Sequence, residues 1–488
     1  MNVVPETAAA VRETHSGMVV LVGDRAYKCK RPIATDFLDF STVALREQAL
    51  AREWELNRRL APQAYLGIAH LEGPDAGERE PILVMRRYPE TTRLSTRVRA
   101  DAPDLAADLR AVAGVLARFH ARADRSRVID SAAKVPAVAA RWTDNLDEMA
   151  VFADEVVDAS VLQRVRELSS GFISGRAVLF ADRITLRRIV DGHADLLADD
   201  IFCVDDGPVL LDCLDFDDKL RHVDGVDDAA FLAMDLEFLG RPDLATDFLD
   251  EYCLRAGDSA PQSLRHFYIA YRALVRSKVD CIRFGQGVAG AREDAVRHLE
   301  MCLSHLRAAI PQLILVGGGP GTGKTTLARS LAEQLGAQVI STDDVRKDLV
   351  RDGVIEGAAG AIDAGLYTPE NTAAVYRVVL RRAHSVLAAG GSVILDGTWL
   401  DAQERDRARA LAAGAHAAMF EFACTVPLAE AQARIQNRIG STSDATPEVA
   451  AAFEGRTDVV WQGAHVIDTA KPLSDAVARA ADLCCVAI

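Results

Sequence analysis

The chain has 488 residues, which is too long for one small hydrophobic core and predicts two or three domains. Hydrophobic residues make up 49% and charged residues 26%, as in ordinary soluble proteins, and no apolar run approaches the ~20 residues that span a bilayer. The net charge of −15 disfavours a nucleic-acid partner, because binding phosphates requires an exposed basic face.

The N-terminus and the cysteines both favour a cytoplasmic protein. The first residues lack the basic region and apolar stretch of a secretory signal. The nine cysteines contain no CxxC pair, so neither a zinc site nor a thioredoxin-like site is expected. We therefore expect a cytoplasmic protein with neither a membrane nor a nucleic-acid partner, and the sequence carries no signal for an oligomeric state.

The N-terminal section begins with predicted strands. Met18–Val22 and Arg25–Lys30 flank a Gly23-Asp24 turn, which predicts a hairpin. The next predicted elements are a helix at Val43–Leu60 ended by Pro62, a strand at Pro81–Arg87 and a helix at Leu105–Ala123, where apolar residues recur at helical spacing.

A second strand-rich segment covers Gly192–Phe216, and helices follow to about Leu306. Pro311 breaks that pattern. From Gln312 onward strands and helices alternate to the end, which predicts a parallel sheet. We place the domain boundary between residues 308 and 309.

The segment after the apolar strand Leu313–Val316 has the spacing GxxxxGK[ST], and an amphipathic helix at Leu327–Leu335 follows it. That context disfavours a chance glycine-rich turn. Glycines let backbone N–H groups surround phosphates, and the helix N-terminus adds a favourable dipole. We expect Lys324 to reach the β- and γ-phosphates of ATP and Thr325 to ligate Mg²⁺. The predicted nucleotide-binding residues are Gly318, Gly319, Pro320, Gly321, Thr322, Gly323, Lys324, Thr325 and Thr326.

Two further predicted strands end in acidic residues. Gln338–Thr342 precedes Asp343, and the strand within Val393–Leu400 ends at Asp396. Strand ends in a parallel sheet face the ligand crevice, so both carboxylates should point at the phosphates, with Asp396 completing the metal's outer shell. Gly397 stands where motor-type ATPases usually have a water-activating glutamate, which favours transfer to a bound hydroxyl over hydrolysis.

Through GGGPGTGKTT, STDDVRKDL and RIQNRIGSTSDATPEV, residues 312–470 resemble the small P-loop kinases that include polynucleotide kinase, gluconate kinase and zeta-toxin-like kinases. The resemblance implies that Asp343 accepts the proton of the substrate hydroxyl and that Arg346 helps to hold phosphate or substrate. It also implies that Arg434 and Arg438 belong to a mobile lid over the γ-phosphate. Two alternatives stay open: Asp343 as only a helix N-cap, and the two lid arginines as only a solvated helix face.

A second acidic cluster lies in HADLLADD, residues 193–200. It resembles the catalytic loop of protein-kinase-like enzymes, in which the first Asp is the base and an Asn five residues later ligates Mg²⁺. These roles would fall on Asp195 and on Asp200. A hairpin with an Asp206-Gly207 turn would bring Asp200 and Asp212 to one Mg²⁺, and His193 is expected to order the loop.

Upstream, Ala26-Tyr27-Lys28 resembles the A-x-K of the kinase lysine strand, and Glu53 on the next helix is its expected ion-pair partner. Lys28 and Lys30 share a strand face, so the assignment between them stays open. With DFLDFST, ELNRRLAPQAYLGI and FLAMDLEFLGRPDLA, residues 10–300 resemble the aminoglycoside phosphotransferase branch of the kinase-like fold. Asp200 in place of Asn, and the lack of a clear glycine-rich loop before Lys28, leave both a working kinase and a degenerate fold open.

We therefore predict a bilobal protein-kinase-like domain (1–308) followed by a doubly wound parallel-sheet P-loop domain (309–488). This order resembles bacterial proteins described as bifunctional aminoglycoside phosphotransferase/ATP-binding proteins. The expected activity is ATP- and Mg²⁺-dependent transfer of the γ-phosphate to a hydroxyl of an amino sugar, an aminoglycoside-like molecule or another small alcohol. The alternative is a nucleotide-binding regulatory protein with a degenerate N-terminal domain; the acidic charge disfavours a nucleic-acid 5′-kinase.

Overall fold

The computed structural model describes residues 9–13, 17–34, 39–72, 79–358, 364–437, 446–454 and 461–486. The chain forms two compact units. The first comprises Met1–Leu162, Ala181–Ala260 and Tyr268–Cys302, and the second comprises Gln163–Phe180, Pro261–Phe267 and Leu303–Ile488. The boundary between residues 308 and 309 stays a prediction. In the part of the chain that the structure describes, no helix has the length and apolar character needed to cross a membrane.

The first unit begins with a five-stranded antiparallel sheet and one long helix. The elements are β1 (Ala10–Glu13), β2 (Gly17–Val22), β3 (Arg25–Lys30), α1 (Val43–Asn57), β4 (Tyr65–Leu71) and β5 (Glu80–Arg86). The strand order is β1-β2-β3-β5-β4, with every pair antiparallel. The predicted Gly23-Asp24 turn joins β2 and β3, and Gly23 supplies the positive φ of +56° that the tight turn requires.

Helix α1 crosses this sheet and forms its small core. Thr42 caps α1 by accepting the Leu45 N–H at 3.3 Å. Leu50 of the helix is fully buried against Leu83 of β5. The helix ends at Asn57, three residues before the predicted end at Leu60. Because α1 carries Glu53 and β3 carries the two candidate lysines, this packing sets their distance.

Helices and two short antiparallel strand pairs make up the section that follows. The helices up to the second strand-rich segment are α2 (Leu94–Arg99), α3 (Leu105–Arg122), α4 (Arg127–Ser131), α5 (Val135–Met149), α6 (Ala159–Gly175) and α7 (Ala177–Thr185). Then come β6 (Ile189–Asp191), β7 (Ile201–Val204), β8 (Gly207–Leu210), α8 (Asp218–Arg221), β9 (His222–Asp224), α9 (Gly225–Phe238), α10 (Pro242–Ala256), α11 (Gln262–Gly285) and α12 (Ala291–Ala308). β6 pairs with β9, and β7 pairs with β8.

An antiparallel sheet with one packed helix, followed by a mainly helical section that contains the short β7–β8 hairpin, is the architecture of a protein-kinase-like domain. The prediction for this part of the chain is confirmed.

The second unit is built on a five-stranded parallel sheet. Its elements from β10 onward are β10 (Gln312–Gly317), α13 (Lys324–Leu335), β11 (Gln338–Ser341), α14 (Thr342–Arg351), α15 (Pro369–Ala388), β12 (Val393–Asp396), α16 (Ala402–Gly414), β13 (Ala418–Thr425), α17 (Leu428–Gln436), α18 (Pro447–Glu454), β14 (His465–Asp468) and α19 (Leu473–Val486). The strand order is β11-β12-β10-β13-β14, and all pairs are parallel.

Both faces of this sheet are covered, which explains the continuous apolar runs of its strands. Leu313 and Leu315 of β10 pack with α14, α15 and α16. Ile314 and Val316, on the opposite face, pack with α13 and α19. The predicted doubly wound α/β domain is therefore confirmed, and its ligand crevice is expected at the carboxyl ends of the strands.

Two stretches from earlier in the chain also belong to the second unit. Arg176 is buried and donates to the carbonyl oxygens of Ala415 and His416. Ser263 Oγ donates to the Gly390 carbonyl oxygen at 2.7 Å. No motif in the sequence marks these contacts, because they join segments more than 120 residues apart.

Candidate functional site

The phosphate-binding loop lies where β10 meets the N-terminus of α13, which begins at Lys324. Gly318, Gly321 and Gly323 have φ values of +137°, +79° and +80°, which glycine adopts without strain. A Cβ atom on Gly321 would lie 2.4 Å from the Ala431 carbonyl oxygen of α17. The loop therefore needs glycine both for its backbone conformation and for its packing.

Lys324 and Thr325 open α13 and bond to different partners. Lys324 Nζ donates to the Gly319 carbonyl oxygen at 2.8 Å, which keeps the ammonium group against the loop. Thr325 Oγ1 donates to Oδ2 of Asp396 at 2.6 Å. The P-loop hydroxyl and the acidic end of β12 are therefore in direct contact.

The other predicted loop residues differ in burial. Thr322 is buried and its Oγ1 donates to the Gly319 carbonyl oxygen at 2.8 Å, which closes the loop on itself. Pro320 is half-buried and Thr326 is exposed. Thr326 therefore has the least contact with the loop.

Asp396 stands at the shared carboxyl edge of the sheet. In the parallel register it pairs with Val316 of β10 and Ser341 of β11, so the three strands end together. Burial raises the pKa of the Asp396 carboxyl, and the Lys324 ammonium opposes that rise. A desolvated carboxylate bonded to a hydroxyl suits Mg²⁺, which prefers oxygen ligands. Thr325 and Asp396 thus fit the expected metal.

Asp343 and Arg346 lie three residues apart near the N-terminus of α14. Ser341 caps this helix by accepting the Asp343 N–H at 3.2 Å, so the N-cap alternative for Asp343 is wrong. Arg346 Nη1 lies 3.0 Å from Asp343 Oδ1, and its guanidinium group lies 4.3 Å from the ring centre of Tyr367. Arg346 is only 7% exposed. The arginine is thus held between a carboxylate and an aromatic ring.

Arg434 is connected to the P-loop by hydrogen bonds through Thr469, a residue that the sequence motifs did not indicate. Its Nη2 donates to the Thr469 carbonyl oxygen at 2.7 Å and to Glu430 at 2.6 Å. Thr469 Oγ1 in turn donates to the Thr322 carbonyl oxygen at 2.7 Å. Helix α17 ends at Gln436, and the predicted partner Arg438 lies outside the described residues.

In the first unit, both candidate lysines contact the same buried glutamate. Lys28 Nζ lies 2.7 Å from Glu53 Oε1, and Lys30 Nζ lies 2.8 Å from Glu53 Oε2. Lys28 also lies 2.8 Å from Asp212 Oδ1, whereas Lys30 lies 3.2 Å from Asp215. Burial opposes the charge on Lys28, but Asp212 and Glu53 outweigh burial and raise its pKa. The contact with Asp212 favours Lys28 over Lys30 as the nucleotide-orienting lysine.

The β7–β8 hairpin places Asp200 and Asp212 at its open end. Its turn is Asp205-Asp206, one residue before the predicted Asp206-Gly207 turn. Across the open end, the Leu211 N–H donates to the Asp200 carbonyl oxygen at 3.0 Å. The hairpin therefore brings the two aspartates, which are 12 positions apart in the sequence, close to each other.

Three carboxyl groups of this site have perturbed pKa values. Burial raises the pKa of Asp195 to about 6. Burial, with the charges of Asp212 and Asp195, raises the pKa of Asp200 well above its usual value. The Lys28 ammonium lowers the pKa of Asp212. Mutual repulsion and burial together make a positive ion favourable here.

Asp200 and Asp212 therefore fit Mg²⁺ by their chemistry. Among the described residues, no group of three or more His, Cys, Asp or Glu side chains is arranged to hold a metal ion. A Mg²⁺ site of a phosphotransfer enzyme needs only one or two carboxylates, which share the ion with nucleotide phosphates. The same reasoning applies to Thr325 and Asp396.

His193 orders the loop that carries Asp195, as expected. Its Nδ1 accepts the Asp195 N–H at 3.3 Å, and its Nε2 donates to the Leu211 carbonyl oxygen at 2.9 Å. Burial lowers the pKa of His193, which favours the neutral ring that these two bonds require. The histidine thus ties the loop that carries Asp195 to the residue that follows β8.

Asp228 is the main residue of this site that the sequence reasoning missed. It is fully buried on α9 and accepts the N–H groups of His193 and Ala194, each at 2.7 Å. Ala194 has a φ of +68°, so this bond holds a strained backbone. His120 Nε2 lies 2.8 Å from Asp228, and Tyr252 bonds the other ring nitrogen at 2.7 Å. An acidic pair inside the apolar run VDDAAFLAM was the available signal.

A family model for an AAA domain matches residues 313–459. The Mycobacterium tuberculosis protein Rv2004c is 56% identical over 470 residues, which cover 96% of this chain and 94% of that protein. Among solved structures, a choline/ethanolamine kinase family protein from Mesorhizobium loti is 15% identical, with a TM-score of 0.40, and covers 62% of this chain and 92% of its own. A gluconokinase from Sinorhizobium meliloti is 18% identical, with a TM-score of 0.27, and covers 37% of this chain and 99% of its own.

Proposed function

Because the chain belongs to the family of the Mycobacterium tuberculosis protein Rv2004c and joins a protein-kinase-like domain to a P-loop kinase-type domain, we propose that it is an ATP- and Mg²⁺-dependent phosphotransferase. It would move the γ-phosphoryl group of ATP to a hydroxyl of a small molecule. The family membership identifies no acceptor.

The observation that carries the proposal is the contact of Thr325 with Asp396 beside Lys324, at the sheet edge where Asp343 follows β11. In phosphoryl transfer the protein mainly positions the groups and stabilises charge. Lys324 would neutralise the phosphates, and Thr325 and Asp396 would hold Mg²⁺, whose charge neutralises phosphate oxygens when it is bound.

The proposed step at this site is a displacement at phosphorus. The acceptor oxygen forms a bond to the γ-phosphorus, the bond from phosphorus to the bridging oxygen breaks, and ADP leaves with that electron pair. The hydroxyl proton goes to Asp343. In the structure Arg346 pairs with Asp343 at 3.0 Å, so the acceptor must share or displace that ion pair to reach the carboxylate.

At the kinase-like site, the proposed roles fall on residues from three segments. Lys28, held by Glu53, would orient the ATP phosphates. Asp195 would accept the acceptor's proton, and Asp200 with Asp212 would hold Mg²⁺. The contact of Lys28 with Asp212 supports a working site over a degenerate one, since it joins the cation and the metal carboxylate of the expected mechanism.

The test is transfer from Mg-ATP to a panel of aminoglycosides, amino sugars, nucleosides and small polyols. Lys324→Ala should lower kcat/KM at the P-loop site by at least about 100-fold, because a phosphate-stabilising cation is lost. Asp195→Ala should abolish transfer at the kinase-like site. Lys347→Ala, an exposed lysine of α14, is the matched control and should leave both activities unchanged.

A loss in one variant only would identify the working site and its acceptor. The proposal would be contradicted if wild-type protein bound ATP tightly but transferred phosphate to no acceptor, and if neither variant changed that result. Such a result would favour the alternative function, a nucleotide-binding regulatory protein.

A further inference from the structure

Two adjoining cavities lie along helix α3 in the first unit. The larger, of about 490 Å³, is lined by Arg110, Arg118 and Arg255 and by the turn end of the β7–β8 hairpin. The smaller, of about 280 Å³, is lined by Arg59, Arg118 and Arg122. Arg118 and Val115 line both. We name this surface, defined by the five arginines, the α3 groove.

The α3 groove is basic, although the chain has a net charge of −15. Arg110, Arg118 and Arg122 are exposed, and no acidic side chain in the described part of the chain pairs with them. Of the described residues that line the cavities, two are acidic, Asp124 and Asp206. The surface therefore has unbalanced positive charge, which attracts an acidic ligand.

Gly114 allows two of these arginines to converge. A glycine in the middle of a helix lowers the stability of that helix by about 1 kcal/mol relative to alanine. A Cβ atom there would lie 3.3 Å from Nη1 of Arg118 and 3.5 Å from Nη1 of Arg255. Among the described residues Arg255 forms an ion pair with Glu251 at 2.6 Å, so the two guanidinium groups together keep an excess of positive charge. Like charges this close are unfavourable until an anion lies between them.

The spacing of the arginines indicates the shape of the ligand. Arg110, Arg118 and Arg122 lie along about 18 Å of α3, and their positions around the helix axis span about 120°. Arg118 and Arg122 are one turn apart, and Arg110 lines the same cavity as Arg118. A single phosphate group can bind at only one point of such a row. In an extended peptide, alternate side chains are about 7 Å apart, close to the ~6 Å of one helical turn between Arg118 and Arg122. Val115 and Pro208 offer apolar contact to the intervening side chains.

The α3 groove also touches the elements that hold the kinase-like site. Arg59 donates to the Gly192 carbonyl oxygen at 3.1 Å and to Asp191 at 3.0 Å, directly before the catalytic loop. Gly207 lines the larger cavity at one end of the hairpin whose other end carries Asp200. A ligand in the groove would therefore contact both supports of the site.

We propose that the α3 groove docks an extended segment of a partner protein with Asp or Glu at alternate positions. Two carboxylates at successive alternate positions bind Arg122 and Arg118, and a carboxylate four residues further along the segment, about 13 Å away, binds Arg110, which lies about 12 Å from Arg118 along α3. The intervening small side chains contact Val115 and Pro208. This surface is separate from the phosphotransfer chemistry proposed above, and a partner bound there reaches the catalytic loop through Arg59.

The test uses the full chain, with a non-hydrolysable ATP analogue and Mg²⁺ present to occupy the nucleotide sites. The probe is a fluorescent ten-residue peptide of alternating Glu and Ala, with a Gln-Ala peptide as its neutral counterpart, and binding is followed by anisotropy. Wild-type protein should bind the acidic peptide, more weakly as salt increases, and not the neutral one. The double variant R118E/R122E should weaken binding at least about tenfold.

R99E/R292E is the matched control, since it changes the same charge at two exposed arginines outside the groove, and it should bind like wild type. R118Q/R122Q keeps the proposal testable if the charge reversal destabilises the fold. Equal binding by wild type and R118E/R122E, no binding by wild type, or tighter groove binding of inorganic triphosphate or an oligonucleotide than of the peptide would each overturn the proposal.

Discussion

At the residue scale, burial and charge act in opposite directions on neighbouring carboxyl groups of the kinase-like site. Burial raises the pKa of Asp195 to about 6, whereas the Lys28 ammonium lowers that of Asp212. Asp195 is therefore suited to hold a proton near neutral pH, and Asp212 stays ionised as a metal ligand should. The two carboxyl groups thus differ in environment rather than in residue type, as their proposed roles of base and metal ligand require.

The raised pKa of Asp195 has a consequence for stability. Its pKa is about 6 in the folded state and 3.8 in the unfolded state, so the folded protein binds more protons between these values. The contribution of Asp195 to the free energy of unfolding is therefore fully present below about pH 4 and is lost as pH rises through about 6. Asp195→Asn should raise the free energy of unfolding at pH 7.5 by about 1–3 kcal/mol and should give no gain at pH 4.

Thermal unfolding of wild type and Asp195→Asn at several pH values checks this expectation. Asp182→Asn, an exposed residue of the same unit, is the control and should show no pH-dependent difference. An equal melting temperature for wild type and Asp195→Asn across pH 4–7.5 would contradict the raised pKa.

A second residue, Asp228, acts through the backbone that it holds. Asp228→Ala leaves the N–H groups of His193 and Ala194 without an acceptor and breaks the bond to His120. Removing one partner from such a buried network costs about 3–5 kcal/mol. We expect Asp228→Asn, which keeps one oxygen acceptor, to lower kcat at the kinase-like site with little change in KM for ATP. An unchanged kcat would show that Asp228 is only structural.

At the element scale, the P-loop depends on the helix packed behind it. Gly321→Ala would bring a Cβ atom within 2.4 Å of the Ala431 carbonyl oxygen at a φ of +79°, so α17 or the loop must move. We expect nucleotide affinity at this site to fall at least about tenfold, because the backbone N–H groups no longer converge. Calorimetry in a Lys28→Ala background measures this site alone.

Gly336→Ala is the control for that substitution. Gly336 also has a positive φ, +62°, but no atom lies within 4 Å of its Cβ position. It should cost about 1 kcal/mol of stability and leave nucleotide affinity unchanged. Equal affinity in both variants would show that the contact with α17 does not shape the loop.

The β7–β8 hairpin connects the α3 groove with the kinase-like site. Two four-residue strands carry Asp200 and Asp212 at one end and a cavity-lining turn at the other. A short hairpin transmits a displacement at its turn to its open end, because its hydrogen-bonded strands move together. The docking proposal therefore predicts an effect on the kinase-like site and none of comparable size on the P-loop site.

At the scale of the whole molecule, the chain carries two candidate nucleotide sites in two compact units. Wild-type protein should bind two equivalents of a non-hydrolysable ATP analogue with Mg²⁺. Lys324→Ala and Lys28→Ala should each bind one, because each removes the cation that meets the phosphates. Isothermal titration calorimetry gives these stoichiometries directly; one equivalent in wild type would show that one of the two sites does not bind nucleotide.

The sequence by itself determined the local parts of this protein. The P-loop could be predicted because its residues 318–325 are contiguous and its strand and helix flank it directly. The β2–β3 hairpin and the pairing of Asp200 with Asp212 could be predicted for the same reason, since a short turn joins the partners. Alternating strands and helices likewise sufficed for the parallel sheet.

Only the tertiary structure decided the contacts between distant segments. The contact that favours Lys28 over Lys30 is with Asp212, 184 residues away, and the loop that carries Asp195 is anchored by a carboxylate on another helix. Ser341 rather than Asp343 caps α14, although both are suitable residues. Motifs record chemistry within a short stretch, whereas packing brings remote side chains together, and it is packing that sets their distances, burial and pKa values.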